Sequence, residues 1–145
     1  TKDGFVEELQ SPNPPFTATQ HLRINFMSKH TSLYPMLKNN PELVKPIAEM
    51  ESRLSGNVYR FIPKASIANT QLFRSTIHDG DIIAITTSKS GLDTSHIGIA
   101  VWHKDGLHML NASQIHKKVV EEPMTLYQYM QKHPSQNGIR IVRVK

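Results

Sequence analysis

The sequence predicts an α+β domain: one antiparallel sheet with helices packed on it. Three observations lead there. Residues 24–57 carry helical spacing; residues 58–144 break into short β-rich runs joined by short links; and one capped helical segment interrupts those runs near residue 125. Helices first and strands in succession afterwards suit a meander, not alternating βα units.

The elements follow from the chain. Residues 1–22 lack periodicity, and the prolines of "SPNPPFTATQ" at 11–20 read as an extended loop. Residues 1–23 are therefore read as a linker or the remnant of an upstream region, and 24–145 as the folded domain that follows it. The chain opens with Thr1, not Met, which fits an upstream segment lying outside it. From "INFMSKH" at 24–30 to "SRLSGN" at 52–57 the pattern is helical in pieces. Asn40 and Pro41 suit an N-cap and first helical residue. Leu43, Ile47, Met50 and Leu54 recur at helical spacing, Pro46 falls in the first turn, and Gly56 suits a stop.

Strands are expected at 58–62 ("VYRFI"), 81–87 ("DIIAITT"), 95–102 ("SHIGIAVW"), 107–113 ("LHMLNAS"), 117–122 ("KKVVEE") and 138–144 ("GIRIVRV"). Residues 63–79 read mostly as loop, and Gly80-Asp81 as a turn. The segment 125–133 is a short helix, where Thr125 and Gln128 form a capping box.

Composition narrows the function. With 145 residues, 38% hydrophobic and 20% charged, the chain is one domain with an ordinary core. No apolar run reaches the roughly 18 residues of a membrane span. The absence of cysteine excludes disulfides, thiolate metal sites and a cysteine nucleophile within these residues. The net charge of +5 is dispersed, with no basic stripe for nucleic acid.

The most informative stretch is "GLDTSHIGIAVWHKDGLHMLNAS" at 91–113. Asp-Gly in "HKDG" marks a hairpin. If Trp102 pairs with Leu107, one face carries Ile97, Ile99 and Val101 with His108, Leu110 and Ala112. The other carries His96, Gly98, Ala100 and Trp102 with Leu107, Met109, Asn111 and Ser113. His96 and Asn111 become diagonal neighbours, roughly 7–8 Å apart at the backbone and within side-chain reach. Gly98 and Ala100 leave room on that face for another element.

A histidine oriented by an amide is the base half of a nucleophilic site. The amide oxygen accepts one ring N–H and leaves the other nitrogen to take a proton. A purely structural His96–Asn111 hydrogen bond fits the same geometry. Ser113 lies across from His96 and is a candidate nucleophile, although nothing around it resembles a strained nucleophile turn; Ser95 points to the other face. Metal binding finds little support in the spacing. His103 falls in the turn, His108 lies on the face opposite His96, and His78, Asp79 and Asp81 form only a loose group. No metal and no cofactor are expected. A glycan hydrolase needs two carboxylates flanking a cleft, and Asp81 and Asp93 are not spaced for it.

The quoted stretch, with "HDGDIIAITT" before it and "KVVEE…TLYQYM" after it, resembles the C-terminal half of bacterial N-acetylmuramoyl-L-alanine amidase-like proteins. These are relatives of the NlpC-type, papain-like cell-wall peptidases, and "INFMSKH…Y" at 24–34 resembles them too. The likeness covers roughly residues 24–144. It implies a papain-like sheet, here without the N-terminal helix that carries the cysteine nucleophile. It implies His96 as general base, from "SHIGIA", and Asn111 as its orienting partner, where "NAS" stands for the family's "HAS"-type motif. Asp93, Thr94 and Ser113 are then expected as substrate contacts, against the plainer reading of Asp93 and Thr94 as an Asx-turn. The partners implied are peptidoglycan fragments (muropeptides), in the cell envelope, periplasmic or lipid-anchored. The chain alone, holding a base and no attacking atom, is expected to be inactive. The alternative is a catalytically inactive wall-binding or structural domain on the same scaffold.

Overall fold

Ile83 and Ile85 are fully buried, in a strand that is apolar on both sides. That run can be satisfied only at the centre of a sheet, with strands on both edges and cover on both faces. The computed structural model describes residues 4–11, 14–68 and 73–145. It shows an α+β fold with an eight-stranded sheet. The strands are β1 (Val6–Glu8), β2 (Ala18–His21), β3 (Val58–Pro63), β4 (Ile82–Thr87), β5 (Thr94–His103), β6 (Gly106–Ser113), β7 (Lys118–Glu121) and β8 (Gln136–Val144). They run in the order β2-β3-β8-β4-β5-β6-β7, with every pairing antiparallel. The meander β4 to β7 is as expected, but β8 returns to lie between β3 and β4.

The N-terminal stretch differs from its reading as loop. Both β1 and β2 join the sheet, β1 along β8 and β2 along β3. Their three- and four-residue lengths are too short to show periodicity; the unpaired edges of β8 and β3 recruit them. Residues 12–13 and 69–72, within two stretches read as loop, lie outside the described residues.

The helical segment is in pieces, as its prolines require: α1 (Phe26–Lys29), α2 (Pro35–Asn39) and α3 (Val44–Leu54), with 3₁₀ turns between them. Asn40 and Pro41 stand at the N-cap and first position of a 3₁₀ turn, but the Asn40 side chain donates back to the Met36 carbonyl at 2.8 Å and does not cap it. The apolar stripe of α3 faces the core less than its spacing suggests. Met50 and Leu54 stay exposed, and the residue α3 buries is Glu51. Its carboxylate accepts from the Met27 and Ser28 amides at 2.8 and 3.3 Å, satisfying the open end of α1. Gly91 docks the same end against the loop before β5. Its carbonyl accepts from the Asn25 and Phe26 amides, its φ is +79°, and a Cβ there would lie 2.3 Å from Asn25 Oδ1.

The last helix, α4 (Leu126–Gln131), has the expected capping box between Thr125 and Gln128. It buries Leu126 and Met130, one turn apart, on the inner face of the sheet against Ile83, Ile85, Met109 and Ile139. Residues 129 and 133 therefore share the neighbouring strip of that helix.

One ion pair ties the start of β4 to the end of β8. Asp81 is 3% exposed. It accepts from Arg143 Nε at 2.9 Å and Nη2 at 2.6 Å, and from the His78 amide at 2.8 Å. Burial works to raise its pKa, but these hydrogen bonds and the guanidinium charge outweigh it and hold the carboxyl below the usual carboxylate range. A depressed folded-state pKa gives stability that is complete above the unfolded value, near 3.9, and is lost as pH falls through the folded value. Asp81→Asn removes the charge from the hydrogen bonds with Arg143 and should cost about 2 kcal/mol at pH 7. In urea unfolding, the gap from wild type should hold down to about pH 4 and narrow as pH falls further toward the folded value.

Candidate active site

The hairpin register puts the site together. Trp102 pairs with Leu107 and Ile99 with Leu110, as the Asp-Gly turn predicts. The inner face then holds Gly98, Ala100, Met109 and Asn111, all buried, while Ile97 and Ile99 on the outer face are 58% and 41% exposed. The room beside Gly98 is taken by β6 itself and not by another element. A Cβ on Gly98 would lie 2.2 Å from Met109 Cγ, and Ala100 is fully enclosed in the core.

His96 and Asn111 meet on this face. His96 Nε2 and Asn111 Oδ1 are 2.9 Å apart. The direction of that bond is set by a residue the sequence reading passed over. Glu122 is 6% exposed, and its Oε1 lies 3.1 Å from Asn111 Nδ2. A carboxylate only accepts, so the Asn111 amide must turn its NH₂ toward Glu122 and its oxygen toward His96. The Val120 carbonyl accepts from the same NH₂ at 3.4 Å. His96 must then carry its proton on Nε2 to donate to that oxygen. Nδ1 is left with a free lone pair, and no hydrogen bond reaches it among the described residues.

Glu122 was legible in part. Asn111 pairs with Val120, so strand alternation turns Val120 and Glu122 to the same face as Asn111. The run "KKVVEE" reads as a strand, but its own residues do not set its register.

A cleft of about 340 Å³ opens over His96, lined also by Ser113, Gln114, Ile115, Tyr129 and His133. Tyr129 and His133 reach it from the strip of α4 beside the buried one, their rings stacked with centroids 4.4 Å apart. The Tyr129 ring lies 6.4 Å from that of His96. Burial raises the Tyr129 phenol above its ordinary pKa, the Glu122 charge adds to the rise, and a hydrogen bond with Gln136 opposes it. Tyr129 thus stands neutral at the wall of the cleft.

Of the other expected site residues, Ser113 lines the cleft; its Oγ accepts from the His116 amide at 3.2 Å, and it makes no bond to His96. Asp93 and Thr94 do not line that cleft. The Asp93 carboxylate lies 3.8 Å from Arg140 Nη1, and its carbonyl accepts from Gln20 Nε2 at 2.7 Å. Arg140 in turn is paired with Glu8 and stacked over Tyr59. Thr94 opens β5 opposite Thr86. Asp81 is committed to Arg143, so Asp81 and Asp93 do not flank a cleft as a carboxylate pair.

His103 and His108 lie away from His96, as the strand alternation predicts. His103, His108 and Glu121 converge on the outer face with ligand atoms within 4.8 Å of one another. Local sequence gives His103 and His108 no third ligand; only the β6–β7 register brings Glu121 beside them.

Replacing Glu122 by Ala leaves the Asn111 NH₂ buried without its carboxylate. We expect a loss of about 1–3 kcal/mol in urea unfolding, with Glu122→Gln losing less because its amide oxygen can still accept.

The chain has a matching family and solved relatives. The family described as N-acetylmuramoyl-L-alanine amidase-like matches residues 9–139. An N-acetylmuramoyl-L-alanine amidase from Bacteroides uniformis, solved by crystallography, superposes with a TM-score of 0.88 at 37% identity; the match covers 99% of this chain and 59% of that one. A Bacteroides fragilis protein provisionally assigned as a xylanase superposes at 0.85 with 39% identity, covering 99% of this chain and 60% of that one. A Legionella pneumophila protein at 23% identity and a TM-score of 0.62 shares the fold, with 99% of this chain and 57% of that one covered. No curated protein sequence matches. The chain thus spans about three fifths of the length of its solved relatives. Among the described residues, no helix is long and apolar enough to cross a membrane.

Proposed function

The chain belongs to the N-acetylmuramoyl-L-alanine amidase-like family, a family of cell-wall hydrolases, and on that premise we propose that it is the histidine-bearing part of a cysteine-type peptidoglycan hydrolase on a papain-like, NlpC-type scaffold. The observation that carries this is the His96–Asn111–Glu122 chain, which leaves the Nδ1 lone pair of His96 free beside the cleft.

The chemistry follows from that atom. A cysteine thiol from outside these residues gives its proton to His96 Nδ1, and Asn111 holds the resulting imidazolium through Nε2–H. The thiolate attacks an amide carbonyl of a muropeptide. His96 then returns the proton to the leaving amine, and water, deprotonated by the same nitrogen, releases the acyl group. Asn111 is neutral, so it orients the ring without trapping the proton. Ser113 lines the same cleft as a substrate contact; Asp93 and Thr94, away from it, are contacts only for a substrate that extends along the loop before β5. The substrate places this work outside the cytoplasm, in the cell envelope, periplasmic or lipid-anchored.

An amide is favoured over a glycosidic bond because the cleft presents a base and its orienter, not two carboxylates. The alternative of an inactive wall-binding domain uses the same cleft without the proton transfer.

The test compares this chain with a version extended through its encoded upstream region, each incubated with muropeptides and read by mass spectrometry. We expect cleavage by the extended protein alone, reduced about 10²–10⁴-fold by His96→Ala, with folding unchanged. Cleavage that survives His96→Ala, or binding without cleavage by the extended protein, contradicts the proposal.

A further inference from the structure

A second group of side chains, on the opposite face of the sheet, is left unused by the wall chemistry. His103 ends β5, His108 stands opposite Val101 on β6, and Glu121 ends β7 opposite Leu110. Alternation turns all three to the outer face at one corner of the sheet. The rings of His103 and His108 meet edge-on with centroids 4.6 Å apart, and His103 Nε2 touches Glu121 Oε1. Asp105, in the turn between β5 and β6, lies with Oδ1 2.7 Å from His108 Nε2. A cleft of about 590 Å³ opens over them.

We propose that His103, His108, Glu121 and Asp105 bind one divalent transition-metal ion of the zinc type. The donor set is two imidazoles and two carboxylates, all ligand types that zinc accepts and a set that magnesium, with its preference for oxygen and water, does not favour. The orientation of His108 is the second argument. Its side chain is 6% exposed, and its Nδ1–H donates to the Glu122 carbonyl at 2.8 Å. That backbone bond fixes the tautomer and aims the Nε2 lone pair outward, the arrangement that metal-bound histidines take. Nε2 nevertheless faces the Asp105 carboxylate. A neutral imidazole has one N–H, so the oxygen at Nε2 calls for a cation between them, a second proton or a metal ion shared with Asp105.

The distances allow it for His103, His108 and Glu121, and Asp105, 60% exposed, reaches the group through His108. Tetrahedral coordination at zinc places ligand atoms roughly 3.3 Å apart, against the 4.8 Å within which the three converge. The side chains that must adjust, His103 and Glu121, are 47% and 41% exposed and free to do so, while the buried His108 supplies the fixed point. A bound ion would fasten the β5–β6 turn to the end of β7. It would also fix the backbone of Glu122, whose carboxylate holds Asn111 on the inner face. The metal site stands on its own geometry, whatever nucleophile attacks at His96.

The test is calorimetric titration of the chelator-stripped protein with zinc sulfate at pH 7.5. Wild type should bind one equivalent with micromolar affinity or tighter and should not bind magnesium comparably. The double variant His103→Ala/Glu121→Ala, with both changes at exposed positions, should melt like the metal-free wild type and lose at least tenfold in zinc affinity. His21→Ala, at an exposed position on β2, should bind as wild type does. The proposal fails if wild type takes up no zinc at micromolar concentration, if magnesium binds as tightly, or if the double variant binds zinc unchanged.

Discussion

The site depends on one hydrogen-bonding constraint: a buried carboxylate can only accept. Glu122 imposes that rule on the Asn111 amide, and Asn111 passes it to His96. Three residues from β5, β6 and the end of β7 thereby agree on one tautomer. The arrangement suits a base. A carboxylate bonded directly to the ring would hold the imidazolium more strongly, whereas a neutral amide orients the ring and leaves its proton mobile. The carboxylate charge is kept one residue further away, where burial makes its hydrogen bond matter.

The sheet makes this constraint possible. The Asp-Gly hairpin sets the β5–β6 register, and a slip of one residue would move Asn111 to the exposed face. Met109 fills the space over Gly98 and locks the two strands face to face. On the inner side, α4 buries Leu126 and Met130 and so turns Tyr129 and His133 toward the cleft. The core and the site share one helix and one hairpin, which is why a short domain can hold a polar group of this kind beside its apolar interior. The outer face of the same three strands carries the histidine–carboxylate group, joined to the inner one by the backbone of Glu122.

Much of this was legible in the residues. The strands of the meander appear at their expected places because each is a short β-rich run, continuous and apolar in β4 and alternating in β5, with Gly80-Asp81 and the Asp-Gly hairpin between them. His96 and Asn111 could be paired because a tight turn propagates register over many residues. What the sequence hid were the features set by long-range pairing. β1 and β2 are too short for periodicity and exist through the edges they join. β8 inserts beside β4, a choice local pattern does not encode. Glu122 and Glu121 looked like the charged end of a strand, and only the β6–β7 register separates their roles, one inward behind Asn111 and one outward beside His103. The stripe on α3 misled for another reason: its helix docks through a buried carboxylate, so apolar spacing was a poor guide to its inner face.

The central claim concerns one proton, and nitrogen-detected NMR of the His96 ring tests it directly. With the ring neutral, the account predicts a proton on Nε2 that exchanges slowly with water, and a bare Nδ1. It predicts that Asn111→Leu and Glu122→Leu each restore fast exchange at Nε2. A proton found on Nδ1, or a slowly exchanging Nε2–H that persists in both variants, would contradict it.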